Sequence, residues 1–296
     1  MAASHEDDNN QKKNDWSATQ YLKFNTERTR PVFDLISRIT PHLSQTRNPN
    51  IYDLGCGPGN SASILLSAFP SASLTGLDSS PDMLAKARAT LQTAEFIQGD
   101  LSTFTPAPDA DVVFSNAAFH WLRRGQRVPT LVRIFESLKP GAVLAVQMPD
   151  NYTEPSHALM RDVAVTPSKP WSSYLSSNSS VRVGDLTDTT RPDLDPVETP
   201  AEWYNAFTAT SAAASVDIWR TTYQHVLQDA RAIVEWVKGT GLQPFLQRMP
   251  EGEEGRAVRE AFLNEYEERL KERYRPLGDG KVLLGYPRLF MVVVRK

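Results

Sequence analysis

Asn50-Ile51-Tyr52-Asp53-Leu54-Gly55-Cys56-Gly57-Pro58-Gly59-Asn60 is the stretch that decides the fold. Its first five residues read as a short strand. Glycines at every second position follow, and Ser61 to Ala68 then reads as a helix. Glycine there permits a tight turn and lets the backbone approach a ligand closely. Strand, glycine turn and helix in that order predict a parallel sheet with helices on both faces.

The alternation continues on the C-terminal side. Leu74 to Asp78, Glu95 to Asp100, Ala110 to Ser115 and Ala142 to Met148 read as further strands. Ser80 as N-cap and Pro81 at the first helical position start a helix with Met83, Leu84 and Ala87 on one face. Pro129 to Leu138 predicts another helix, closed by Lys139-Pro140-Gly141. On the N-terminal side a helix is expected over Gln20 to Arg38, interrupted at Pro31.

Beyond Met148 the rhythm is lost. Residues 151–215 are rich in Ser, Thr and Pro and read as an insertion with a mobile middle around Ser172 to Thr190. Val216 to Leu227 predicts a sixth strand. Asp229 to Tyr274 reads as mostly helical, with Asp229 as N-cap and breaks at Gly239, Gly241 and Pro250. Leu289 to Val294 predicts a last, buried strand.

Composition narrows the class. The 296 residues are 40% apolar and 23% charged, as in a soluble globular protein. A net charge of -3 gives no general attraction for nucleic acid or an anionic membrane. Cys56 is the sole cysteine, which excludes an internal disulfide and a cysteine-rich zinc cluster and fits a reducing compartment. No apolar run approaches the roughly 20 residues that span a bilayer. The first 14 residues read as a disordered polar tail. A cytoplasmic protein is expected, without membrane or nucleic-acid partners.

Asp78 and Asp100 end the second and third strands. Each alone reads as a capping aspartate at a turn. In order, with the glycine loop, they converge on the crevice where open parallel sheets bind ligands. A carboxylate at the Asp78 position can accept hydrogen bonds from ribose hydroxyls. A nicotinamide dinucleotide is the obvious competitor, but its fingerprint is G-x-G-x-x-G and the spacing here is G-x-G-x-G. Asp53, just before the loop, suits a cationic ligand better than a pyrophosphate.

Tyr52 to Asn60 resembles motif I of the class I S-adenosylmethionine-dependent methyltransferases. Narrower segments resemble the trans-aconitate methyltransferases: Tyr21 to Phe24 with Glu27-Arg28-Thr29-Arg30-Pro31, Gln147-Met148-Pro149, Trp219 to Tyr223, Val234 to Thr240, and Arg288-Leu289-Phe290. His120 departs from the glutamine expected before Trp121, and the Ser-rich stretch at 172–190 is unusually long.

The resemblance implies a Rossmann-like α/β fold. Its core would be a doubly wound, mostly parallel seven-stranded sheet, with a largely helical cap from insertions at about 149–215 and 228–284 of a domain spanning 15–296. It implies S-adenosylmethionine as cofactor, S-adenosylhomocysteine as product, and no metal. Asp53, Gly55, Cys56, Gly57, Asp78, Ser79, Asp100, Leu101 and Asn116 would bind the cofactor. Cys56 would fill space and have no catalytic role. The implied reaction forms the monomethyl ester of trans-aconitate or a related small polycarboxylic acid. His120 and Trp121 would line the transfer site. Arg30, Gln147, Tyr223, Tyr286 and Arg288 would hold the substrate. Trp219 and Trp236 read as packing, and Glu235 with Lys238 as a surface pair. The chain would act as a monomer or weak homodimer. Another acid as substrate, or a cofactor-binding protein that does not methylate, stays open at this point.

Overall fold

The computed structural model describes residues 25–175 and 182–296. The expected tail at 1–14, the helix start at Gln20, the Tyr21 to Phe24 segment and residues 176–181 lie outside these. Among the described residues no helix is long and apolar enough to cross a membrane.

The chain divides into two compact units. The first holds residues up to Pro149, Val197–Thr221 and Arg288–Lys296; the second holds Asp150–Pro196 and Thr222–Pro287.

The first unit is built on a sheet whose order is β3-β2-β1-β4-β5-β7-β6. The strands are β1 Asn50–Leu54, β2 Ser73–Asp78, β3 Glu95–Gln98, β4 Val112–Asn116, β5 Val143–Pro149, β6 Ala213–Leu227 and β7 Val282–Arg295. Strands β3, β2, β1, β4 and β5 pair in parallel, and β7 pairs antiparallel with β5. Every residue of β4 and β5 is buried, as expected of parallel strands covered on both faces. Order reverses between β1 and β4, which opens the crevice at their carboxyl ends. The surrounding helices are α1 Asn25–Leu43, α2 Asn60–Ala68, α3 Pro81–Thr90, α4 Arg124–Glu136 and α7 Pro200–Thr208.

Local chemistry explains the boundaries. Ser80 caps α3 by accepting from the Met83 amide, with Pro81 following, and Met83, Leu84 and Ala87 are its buried face. Thr199 and Glu202 form a reciprocal capping box at α7.

Three expectations are corrected. Helix α1 runs on through Pro31 to Leu43. An interior proline costs about 3 kcal/mol. Burial of Val32, Leu35, Ile36, Ile39 and Leu43 along one face offsets it. Helix α4 begins at Arg124, ahead of Pro129. Strand β7 begins at Val282, well before Leu289.

The second unit contains α5 Pro155–Ala164, α6 Ser172–Leu175, α8 Ala230–Lys238, α9 Gln243–Leu246 and α10 Gly252–Arg273. Asp229 caps α8 through the Ala232 amide. Trp171 is buried edge-on to Phe262 at 5.3 Å, and its indole donates to the Val163 carbonyl. The described residues of the stretch expected to be mobile are cross-braced. Asp185 accepts from both the amide and the hydroxyl of Thr187, and Asp188 does the same for Thr190. Arg191 is buried and pairs with Asp193 at 3.2 Å and with Asp195. Aspartate and threonine here act as turn builders.

The insertion expected at 149–215 is split, because α7 packs in the first unit. An ion pair ties it there. The fully buried Arg127 of α4 lies 3.5 Å from Glu198, which precedes α7 and is 2% exposed. Burial raises the Glu198 pKa and Arg127 pulls it back down. Arg127→Met leaves that carboxylate with only Arg124, half-exposed and 3.9 Å away, so denaturant unfolding at neutral pH should show a loss of up to about 3–5 kcal/mol. The loss should shrink at acid pH, where Glu198 takes a proton, and in the Arg127→Met, Glu198→Leu double variant. Additive losses in the double variant would contradict the pairing.

Candidate functional site

Strand β1 delivers the chain into the crevice and the glycines turn it. The amides of Gly55 and Cys56 both donate to the Leu77 carbonyl, at 2.7 and 3.0 Å, which fastens the loop to the end of β2. Gly55 has φ +73°, and a Cβ there would lie 2.2 Å from the Ala118 Cβ. No larger residue fits. Gly57, at φ +55°, donates its amide to Asp78 Oδ2 at 2.9 Å. The other oxygen, Oδ1, accepts from the Ser80 amide at 2.9 Å. Asp78 therefore clamps the loop.

Cys56 is buried, with its sulfur over the glycine face of β2. A Cβ on Gly76 would meet that sulfur at 2.9 Å and the Phe96 ring at 2.6 Å. Burial, reinforced by Asp53 and Asp78, pushes the thiol pKa up, which leaves it unreactive.

Asp53 is fully buried, and neither carboxylate oxygen has a well-formed hydrogen bond. Burial, then the nearby Asp78, pushes its pKa up to about 8, with only the Ala62 amide opposing. A carboxylate in this state wants a cation. Asn116, at the end of β4, is likewise buried, and its Oδ1 atom lacks a hydrogen bond. Its Nδ2 atom donates to the Arg28 carbonyl at 3.5 Å. A cavity lies beside the loop, lined by Arg28, Thr29, Gly55, Cys56, Gly57 and Asn116 among others. S-adenosylmethionine fits this donor set: it carries a sulfonium and an ammonium for the buried acceptors and a ribose diol for a carboxylate.

The next strand ends form a polar row. Asn116 and Gln147 are register partners of β4 and β5. Gln147 is fully buried; its Oε1 accepts from Arg288 Nη1 at 3.1 Å, and its Nε2 has no partner. Arg288, 3% exposed, stands opposite Pro149 on β7. Ala117, next to Asn116, takes a left-handed φ of 58° and donates its amide to the Gln147 carbonyl. That turn leads into a short 3-10 helix, Phe119–Trp121. Phe119 is buried in the core, while His120 and Trp121 are half-buried with ring centroids 5.1 Å apart.

The other expected residues vary in exposure. Ser79 and Asp100 are exposed, and Asp100 Oδ1 accepts from the amide and hydroxyl of Ser102. Leu101 packs half-buried against the core, near Gly55. Arg30 is exposed. Arg28, two positions earlier, is buried and lines the cavity. Two residues turn a helix by about 200°, so the two arginines face opposite ways. Arg28 lies four residues before Val32, on the apolar stripe of α1.

Tyr223 and Tyr286 are buried in the second unit. There His225 lies 6.2 Å from Tyr223, 6.1 Å from Tyr286 and 4.5 Å from Trp236. Trp236 is core, as expected; Trp219 stacks on Phe290 at 4.8 Å. Glu235 and Lys238 pair at 3.7 Å.

Asp53 carries a stability cost with a definite sign. Its native pKa of about 8 exceeds the ordinary 3.8, so the folded state binds the proton more tightly. Ligand-free stability should fall as pH rises from about 4 to about 8. Asp53→Asn removes the charge, so its thermal melting point should exceed that of the wild type, by a margin growing across that window. A margin independent of pH would refute the cost.

Comparison with known proteins bears on the same residues. A family described as "Methyltransferase domain" matches residues 51–141. A trans-aconitate 2-methyltransferase of Methylobacterium nodulans is 46% identical over 283 residues, covering 95% of this chain and 98% of the relative. The enzyme of that name from Rhizobium rhizogenes is 42% identical over 281 residues, covering 95% and 99%. Among solved structures, a candidate sarcosine dimethylglycine methyltransferase of Galdieria sulphuraria superposes with TM-score 0.51 at 13% identity, over 95% of this chain and 90% of that one, which shows the fold. The chain is a class I S-adenosylmethionine-dependent methyltransferase and belongs to the trans-aconitate 2-methyltransferase family.

Proposed function

We propose that this enzyme esterifies one carboxylate of trans-aconitate, with S-adenosylmethionine as methyl donor. The observation that carries the reading is the sequence of strand ends. An acid-lined glycine loop on β1 is followed at β4, β5 and β7 by Asn116, Gln147 and Arg288.

The bound cofactor supplies a methyl group on a sulfonium, a leaving group that needs no protonation. A carboxylate has a pKa near 4, so the acceptor is already ionised at neutral pH and no general base is required. What the chain must supply is position and charge. Asp53 balances the cationic end of the cofactor, Asp78 holds its ribose and also the loop, and the Gly55–Gly57 backbone forms the floor. Leu101 supplies an apolar wall, with Asp100 and Ser79 at the rim. Arg288 receives a substrate carboxylate, and Gln147 fixes the guanidinium while offering its own Nε2 to the same anion. His120 and Trp121 exclude water from the transfer path. Two-point binding also sets the approach of the attacking oxygen, which must come in opposite sulfur at about 3 Å. The sole cysteine, buried and reduced, supports a cytoplasmic setting.

Labelled cofactor with trans-aconitate should give a base-labile methyl ester. A panel in which a larger acid is strongly preferred would overturn the substrate. Asp78→Ala should weaken S-adenosylhomocysteine binding by about 2–4 kcal/mol, since it removes charge-assisted hydrogen bonds and a loop clamp together. Arg288→Ala should raise KM for the acid about 10- to 100-fold, with cofactor Kd nearly unchanged. The opposite split would refute the assignment.

A further inference from the structure

Among the described residues, Ala117, Ser168 and Ser211 take a left-handed φ without being glycine. The two serines are exposed, while Ala117 is half-buried just past the end of β4. Its neighbours hold it from both sides. Asn116 lines the cavity beside the glycine loop. The Ala117 amide donates to the Gln147 carbonyl at 2.9 Å. Ala118 sets its methyl over Gly55, where a further Cβ would come within 2.2 Å of it. Gln147 in turn accepts from Arg288 through Oε1 at 3.1 Å. One turn thus meets the glycine loop on one side and the strand that carries Gln147 on the other.

A left-handed backbone is unfavourable for any residue with a Cβ, and glycine takes it freely. The Cβ also confines the residue to a small patch of φ and ψ, and a φ of 58° lies within that patch. Glycine in the same turn has a wide choice of angles. An alanine held there by its neighbours is therefore a strained but stiffer joint than glycine. Methyl transfer rewards stiffness. The carboxylate oxygen takes the methyl as the carbon–sulfur bond breaks and its electron pair stays on sulfur, so oxygen, carbon and sulfur must lie in line. We propose that Ala117 is a positioning residue for this transfer: its left-handed turn fixes the separation between the cofactor loop and the Gln147–Arg288 pair. The inference rests on the acid-binding reading of that pair and adds the joint that sets its distance from the cofactor.

Ala117→Gly removes strain and stiffness together. Its melting point should equal or exceed that of the wild type. S-adenosylhomocysteine Kd by calorimetry and KM for trans-aconitate should stay within about twofold, while the single-turnover rate at saturating ligands falls about 10- to 100-fold. Ala117→Asn keeps a Cβ and tolerates the left-handed turn, so its rate should lie closer to that of the wild type. An undiminished rate in Ala117→Gly, or a rate in Ala117→Asn no better than the glycine variant's, would overturn the inference. So would a loss of rate matched by a loss of melting point or of cofactor affinity, which would mean a structural role. Wild-type protein that binds S-adenosylhomocysteine but makes no ester would remove the acid-binding reading and this inference with it, whereas a wild type that turns over beside an equally fast glycine variant removes the inference alone.

Discussion

The Leu77 carbonyl accepts two amides, those of Gly55 and Cys56. That shared acceptor closes the turn after β1 within two residues and keeps the backbone against the end of β2. The amide of Gly57 then falls on Asp78, and the left-handed glycines direct the chain into α2. Ala118 closes over Gly55 from the side of β4, so the turn is held from both neighbours in the sheet. Shift the turn and the Asp53 carboxylate, the Asp78 clamp and the cavity wall all move with it. Cofactor geometry is set by backbone hydrogen bonds before any side chain is considered.

The site is assembled against the preference of its parts. Asp53 is a fully buried carboxylate without a well-formed hydrogen bond, Gln147 holds a buried amide nitrogen without an acceptor, and Ala117 sits where glycine would be easier. Residues of this kind persist because the surrounding core over-determines them. Leu54, Val113, Leu144 and Val146 are fully buried on the same strands. The apolar sheet provides the stability, and the strand ends draw on it.

Much of this was legible in the sequence, for identifiable reasons. The β1 strand, the glycine loop and the Ser80 and Asp229 caps are local devices, and local chemistry fixes them. Gln147 and Arg288 were marked by their place in narrow segments, although their mutual hydrogen bond was not foreseen. One expectation failed because it depends on burial. Pro31 reads as a break until the apolar stripe through it is packed. In the Asp-Thr run at 185–190 the aspartates accept from backbone amides two residues on, a local device.

Strand β7 is the last of the seven in chain order and the sixth in the sheet, between β5 and β6. On a nascent chain, β1 to β5 can pair as they emerge, since they neighbour one another. Strand β6 must wait beside a missing neighbour, and β5 exposes an unpaired, largely apolar edge until β7 arrives. Arg288 arrives with it. The Gln147–Arg288 pair is therefore among the last features to form during synthesis, and ribosome stalling near residue 280 would leave a nearly complete protein with a sticky edge.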